Sequence, residues 1–391
     1  MKPRVTIDAR ALQDGFRDHK RRGIGFYAAR LIRTIIPMAN DLELSFLADP
    51  DLPPPDGLDG QQMIWARCGA TLGFGLQNYL QHLLLRQRLT SSRTDLVHFL
   101  SHIDGTFALG VPVVVTVLDF IPNMFPTHHN VVSHYGRRLN AALQTAVVRQ
   151  ADAVIAISEA TRRDTLKQAR PAASRVDVVY LAADRVFMNH DAMADIAVCN
   201  RLGIPRHFYL YVGGIDPRKN IPRILTALSR TRGTAGDLPL VLAGRITNQP
   251  EYADLQARIK AGPGRDRVIE VGFVSDGDLA ALYHRCSAFL FPSLYEGFGL
   301  PALEAMVAGA AVIVSDRGSL PEIVGDGGLV VDAENDTTIA NAMIQLASDS
   351  ALRAELAARG RIQAARFSWE ATARETLAVY HRLLRSRGVH A

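Results

Sequence analysis

The chain has 391 residues, 48% hydrophobic and 21% charged, which is more than one core usually supports, so two domains are expected. Its formal net charge of +5 falls wholly within residues 1–185, densest at His19-Lys-Arg-Arg22, Arg86/Arg88/Arg93 and Arg137/Arg138. Without interleaved aromatics or a recognised binding module this speaks against a nucleic-acid partner, and leaves a solvated face or peripheral contact with anionic lipid. No apolar run approaches the roughly 20 residues that span a bilayer, and no signal peptide precedes the first strand-like run. Cys68, Cys199 and Cys286 stand apart without metal spacing, as reduced cytosolic thiols do.

Short β-branched runs alternate with helix-period segments, the signal of parallel sheets covered by helices on both faces. In the first half the runs are Arg4–Asp8, Leu42–Leu47, Leu96–Phe99, Val111–Val117 and Ala153–Ile157. Residues 183–205 lack a strong period and are read as a hinge. The pattern then restarts with Phe208–Val212, Leu238–Ala243, Val268–Val271, Ala288–Phe291, Ala311–Val314 and Gly328–Val331, and a last helix extends to about Arg387. This spacing predicts two doubly wound, Rossmann-like α/β domains, residues 1–184 (joined by the C-terminal helix 369–391) and 185–368. Ligands of such folds bind at the carboxyl ends of the strands, here in a central cleft that the two domains face.

The richest segment is Phe291-Pro-Ser-Leu-Tyr-Glu296-Gly-Phe-Gly-Leu-Pro-Ala-Leu-Glu304. A strand runs into a glycine turn and a helix starts near Pro301, where proline loses no hydrogen bond. The N–H groups of Phe298, Gly299 and Leu300 then sit at a helix N-terminus, which favours an anion. Glu296 lies at the mouth of that turn and Glu304 one turn inside. Capping and the helix dipole alone can account for a single glutamate there. The pair suits a ligand with polyol ends and a diphosphate between them, a sugar nucleotide. Upstream, Tyr211-Val-Gly-Gly-Ile-Asp-Pro-Arg218-Lys219-Asn220 ends a strand in glycines, including Gly214, and follows them with two cations at a helix start. An ordinary turn with a solvated basic pair is the plain alternative; a phosphate cradle is the sharper one.

These segments resemble the E-x7-E signature and the Gly-Gly-x-x-x-x-Lys-Asn region of glycosyltransferase family 4, retaining enzymes of the two-domain GT-B fold. The likeness extends through Ala310-Ala-Val-Ile-Val-Ser-Asp316 and Gly318-Ser-Leu-Pro-Glu322. The resemblance implies a nucleotide-sugar donor whose leaving diphosphate is neutralised by Arg218 and Lys219 in place of a metal. No Asp-x-Asp or histidine cluster is read as arguing for a metal, and no cofactor is expected. It implies that Glu296 fixes the sugar and Glu304 the ribose, and that Gly23 and Gly25 lie against the diphosphate or sugar. Gly244, Arg245, Phe273 and Val274 would border the diphosphate and the base. Phe26 stands where the family often has arginine. Leu118, before Asp119, stands where the family's sugar-site histidine is common, so His98, His102, His128 or His129 would have to supply that group; Asp119 would touch acceptor or sugar. Ser158 and Thr161 read better as a helix cap. Phe367-Ser-Trp369 and the last helix resemble the family's tail, which packs back across the hinge onto the first domain. The wording around Arg218 is closest to mannosyltransferase-like members that build bacterial surface polysaccharides, which implies a GDP-sugar donor, a saccharide or lipid-linked acceptor and a cytoplasmic location. An epimerase on the same fold and a non-catalytic sugar-nucleotide-binding subunit stay open.

Overall fold

The computed structural model describes residues 2–17, 19–21, 23–67, 74–125 and 134–388. The chain forms two compact units, one of residues 1–181 with 369–391, the other of residues 182–368.

The first unit holds a seven-stranded parallel sheet of β1 (Arg4–Asp8), β2 (Glu43–Ala48), β3 (Met63–Trp65), β4 (Leu96–Phe99), β5 (Val113–Val117), β6 (Ala153–Ala156) and β7 (Val176–Val178), in the order 3-2-1-4-5-6-7. Register is set by pairs such as Ile7 with Phe46 and Ile7 with His98. Strands buried on both faces carry continuous apolar runs, and β5 and β6 are buried throughout. Two short edge strands, β3 and β7, go beyond the sequence reading. The C-terminal helix Trp369–Ser386 belongs to this unit and packs on the helix Gly23–Ile35. Trp369 meets Phe26 edge-on at 6.0 Å, and the Thr372 hydroxyl donates to the Tyr180 carbonyl at 2.7 Å. Beneath these helices runs a buried polar chain. Tyr27 and His98 both bond the Thr116 hydroxyl, at 3.0 and 2.9 Å, and His98 Nδ1 lies 2.5 Å from the Tyr380 hydroxyl.

The second unit holds a six-stranded parallel sheet of β8 (Tyr209–Val212), β9 (Leu240–Ala243), β10 (Val268–Gly272), β11 (Ala288–Phe291), β12 (Val312–Ser315) and β13 (Gly328–Val331), in the order 10-9-8-11-12-13. Part of the stretch read as a hinge is ordered helix. Asp191 accepts from the N–H groups of Met193 and Ala194 and so caps the helix Ala192–Arg201, which packs on the helix Asp276–Arg285. No helix among the described residues is long and apolar enough to cross a membrane.

Candidate functional site

At the carboxyl end of β8 the chain turns through Gly213 and Gly214 into the 3-10 turn Pro217–Lys219 and the helix Ile221–Arg230. Gly213 has φ +142° and Gly244, after β9, has φ +143°. The two turns are interlocked. Gly213 N–H donates to Ala243 O at 3.0 Å and Gly244 N–H to Gly272 O at 2.8 Å. A Cβ on Gly244 would lie 2.3 Å from Gly213 O, so glycine is required there for close backbone approach. Asn220 holds φ +62°, a conformation asparagine tolerates better than most residues. Its amide donates to the carbonyls of Pro292 and Ala333 at 2.9 and 2.7 Å. Those bonds tie the cationic turn to the loop that leaves β11.

That loop carries Glu296, and the structure brings it directly onto both predicted cations. Lys219 Nζ lies 2.7 Å from Glu296 Oε1, and Arg218 Nη1 lies 3.1 Å from Glu296 Oε2. Asp216 holds the other side of the guanidinium, 2.9 Å from Arg218 Nε. Burial would raise the Glu296 carboxyl, but the Lys219 ammonium and the Arg218 guanidinium outweigh it and hold it below the usual carboxylate range. Burial also lowers Lys219, which Glu296 offsets only in part. The Lys219 ammonium sits 4.8 Å from the Phe291 ring centroid as well. Ser319 fixes the loop by donating to the carbonyls of Glu296 and Phe298 at 3.1 and 2.7 Å. The close passage of Gly318 leaves no room for a Cβ, which would stand 2.7 Å from Glu296 O.

The helix Leu300–Ala308 starts from Gly299, at φ +97°, with proline in its first turn. Its leading N–H groups have no acceptor within the helix. Phe298 is buried against Phe367, so its side chain serves the core. Glu304 is half-buried and accepts from the Tyr283 hydroxyl at 3.2 Å. Burial pushes its carboxyl up to about 7. At the rim, Phe273 is 65% exposed, and the Arg245 guanidinium lies over its ring, 4.4 Å from the centroid. The sequence reading placed Arg245 and Phe273 separately along the diphosphate and the base; their stacking into one planar cationic shelf was not anticipated. Tyr283, Asp216 and Ser319 were missed too: Asp216 and Ser319 stand inside quoted segments but were given no role, and Tyr283 lies in none of them.

The remaining expected residues lie in the first unit. Gly23 opens the helix Gly23–Ile35, and among the described residues a Cβ there would meet nothing within 4 Å. Gly25 has a packing requirement of its own, since a Cβ would come 2.6 Å from His19 O. Asp119 Oδ1 accepts from Ile121 N–H at 2.9 Å, steadying the turn Ile121–Met124. Ser158 caps the helix Glu159–Gln168 through Thr161 N–H. Of the histidines considered in place of Leu118, His98 is committed to the buried chain and burial pushes it down to about 3. His102 is buried against Phe120 and pushed down to about 4. His128 and His129 lie outside the described residues. The expected basic edge at His19-Lys20 faces carboxylates, with His19 Nε2 3.1 Å from Asp104 Oδ2 and Lys20 paired with Asp14 and Asp56. Two groupings bear on the metal motifs weighed in the sequence. Asp276-Gly-Asp278 does have Asp-x-Asp spacing, but it opens a helix and Asp278 pairs with Arg201 at 2.6 Å. His190 and His284, far apart in sequence, meet at Asp195.

Two Rossmann-like units, the second with a glycine-lined cationic turn and a buried glutamate where its strands end, define a GT-B glycosyltransferase fold. Residues 22–187 match the family model "Glycosyltransferase Family 4" and residues 201–363 match "Glycosyl transferases group 1". The serotype-specific mannosyltransferase WbdA of Escherichia coli is 28% identical over 417 residues, spanning 98% of this chain and 48% of WbdA. This chain therefore covers about half of that relative. The O-antigen chain mannosyltransferase B of E. coli is 33% identical over 271 residues, 68% of this chain and 69% of the relative. Sucrose-phosphate synthase from Thermosynechococcus elongatus, a solved structure, matches with TM-score 0.76 at 20% identity over 98% of this chain and 100% of that one, a likeness of fold. The chain belongs to the family 4 glycosyltransferases.

Proposed function

We propose that this protein transfers a hexose from a nucleotide sugar to a saccharide or lipid-linked saccharide acceptor in surface polysaccharide synthesis, with mannose from a GDP-sugar the preferred donor. The observation that carries the reading is Arg218 and Lys219 held on Glu296 beside the helix Leu300–Ala308. A buried carboxylate between two cations is a strained neutralisation that an incoming diphosphate can share, since its oxygens accept from the same donors. In this reading the bond from the sugar's anomeric carbon to the diphosphate breaks as the two cations and the helix N-terminus take up the departing charge. The acceptor oxygen bonds the same face of that carbon, and its proton passes to a departing phosphate oxygen, so configuration is retained and no metal is needed. Glu296 positions sugar hydroxyls, Glu304 accepts from the ribose, and the base lies along Arg245 and Phe273. The mannosyl preference rests on the two E. coli relatives being mannosyltransferases.

Arg86, Arg88 and Arg93 are exposed, and so is Leu83, at 60%, on the helix Phe74–Thr90. This favours peripheral contact with an anionic leaflet, each cation adding about 1 kcal/mol. Calorimetry with GDP, UDP, ADP and their sugars tests the donor site: one nucleotide should bind selectively, and Glu304→Ala and Lys219→Ala should abolish it in folded protein. Transfer from GDP-mannose, with the product anomer read by NMR, then tests the reaction. Absence of binding by any nucleotide would overturn the proposal.

A further inference from the structure

His190, Asp195 and His284 form a cluster apart from the residues assigned to donor binding. His190 Nδ1 lies 2.7 Å from Asp195 Oδ2, and His284 Nδ1 lies 3.0 Å from the same oxygen. The three donor atoms all fall within 4.8 Å of one another. The cluster draws on separate elements: His190 precedes the helix Ala192–Arg201 that carries Asp195, and His284 stands on the helix Asp276–Arg285.

The other ring nitrogen of His284 decides what this cluster is. Nε2 lies 3.1 Å from the Phe187 carbonyl oxygen. A carbonyl only accepts, so Nε2 carries the hydrogen. A neutral His284 then aims a bare Nδ1 lone pair at a carboxylate oxygen that is itself buried. Two lone pairs facing at that distance repel unless a cation lies between them, either a second proton on the ring or a metal. A backbone carbonyl that fixes the far nitrogen is also the usual support of a metal-bound histidine.

We propose that His190, Asp195 and His284 bind one divalent transition-metal ion of the zinc class. Two imidazoles and a carboxylate suit a borderline cation rather than magnesium or calcium, which prefer all-oxygen shells. To hold the ion the two N–O pairs, at 2.7 and 3.0 Å, would open slightly and the third pair, within 4.8 Å, would settle to a similar spacing, since ligands about 2.0–2.2 Å from zinc in a tetrahedron stand roughly 3.3–3.6 Å apart. The His190 side chain is 54% exposed, which provides the entry path and leaves a fourth position to water. His284 is buried, so the ion braces two helices from their surface edge. The residue before it, Tyr283, bonds Glu304.

The test uses the full chain after chelator treatment, titrated with Zn2+ by calorimetry and with Co2+ by visible absorption. The wild type should take up one equivalent, give the intense bands of a tetrahedral cobalt site and melt higher with zinc. His190→Ala removes an exposed ring at little packing loss, and it should weaken uptake at least tenfold and abolish the thermal shift, as should Asp195→Asn. Equal uptake by wild type and both variants, as binding to the thiols of Cys199 or Cys286 would give, overturns the proposal. So does a wild type that binds neither metal, which would leave a proton as the bridging cation.

Discussion

Glu304→Gln should make the protein more stable at alkaline pH while damaging donor binding, and the size of the gain follows from the carboxyl's surroundings. Burial holds its proton until about pH 7, against an ordinary 4.5. The unfolded chain releases that proton near 4.5, so between those values the folded state binds more protons than the unfolded one. Stability relative to a neutral side chain therefore falls as pH rises from 4.5 to 7 and stays low above it. At about 1.4 kcal/mol per pH unit the full penalty is about 3 kcal/mol. Glu304 keeps some contact with water, which reduces this to roughly 2 kcal/mol. Glutamine keeps the acceptor for Tyr283 and removes the charge. In a domain of this size 1 kcal/mol shifts Tm by about 2–4 °C, so the variant should melt roughly 4–8 °C above wild type at pH 8 and close to it at pH 5. Scanning calorimetry of both proteins without nucleotide reads this directly. A difference in Tm that is the same at both pH values would refute the account of Glu304 as a carboxylate destabilised by burial.

The same carboxyl predicts that nucleotide affinity falls as pH drops below 7, when Glu304 takes up a proton and can no longer accept from both ribose hydroxyls; calorimetry from pH 5.5 to 8 should show this in wild type and a flat profile in Glu304→Gln. Lys219→Ala leaves Glu296 buried with Arg218 alone and should destabilise by about 3 kcal/mol, while adding Glu296→Gln should recover at least half of that; strictly additive losses in urea unfolding would show that the pair is not coupled. Gly244→Ala forces a Cβ onto Gly213 O at an unfavourable φ, so a Tm within 2 °C of wild type would contradict the interlocked turns, for which a loss of about 2 kcal/mol or more is expected.

The legible parts of the fold were those where burial on both faces writes an unbroken apolar run. β4 and β11, buried throughout, carry the boundaries the sequence suggests, as do β1 and, at the edge of its sheet, the glycine-led β13. The two edge strands of the first sheet escape that signal: Met63–Trp65 and Val176–Val178 are three residues each, with polar or exposed members. The helix Ala192–Arg201 was hidden because its apolar side is narrow; the Asp191 cap was its available mark. For the site, residues within one turn or one loop could be read. Glu296 and Lys219 are separated by 77 positions, and their direct contact is a product of strand order. The His190–Asp195–His284 cluster escaped for the same reason, since only the packing of two helices joins its ends.

The C-terminal helix has a consequence for how the protein is made. Because Trp369–Ser386 belongs with residues 1–181, the whole of residues 182–368 is an insertion nested within the first unit. During synthesis residues 182–368 are made before the helix Trp369–Ser386, so the face of the first unit that this helix covers stays open until the helix is made. Until Tyr380 arrives, His98 faces an unfinished interface and lacks its 2.5 Å partner. A chain halted before that helix would leave exposed the apolar surface of the first unit that Trp369, Leu377, Tyr380 and Leu384 otherwise cover.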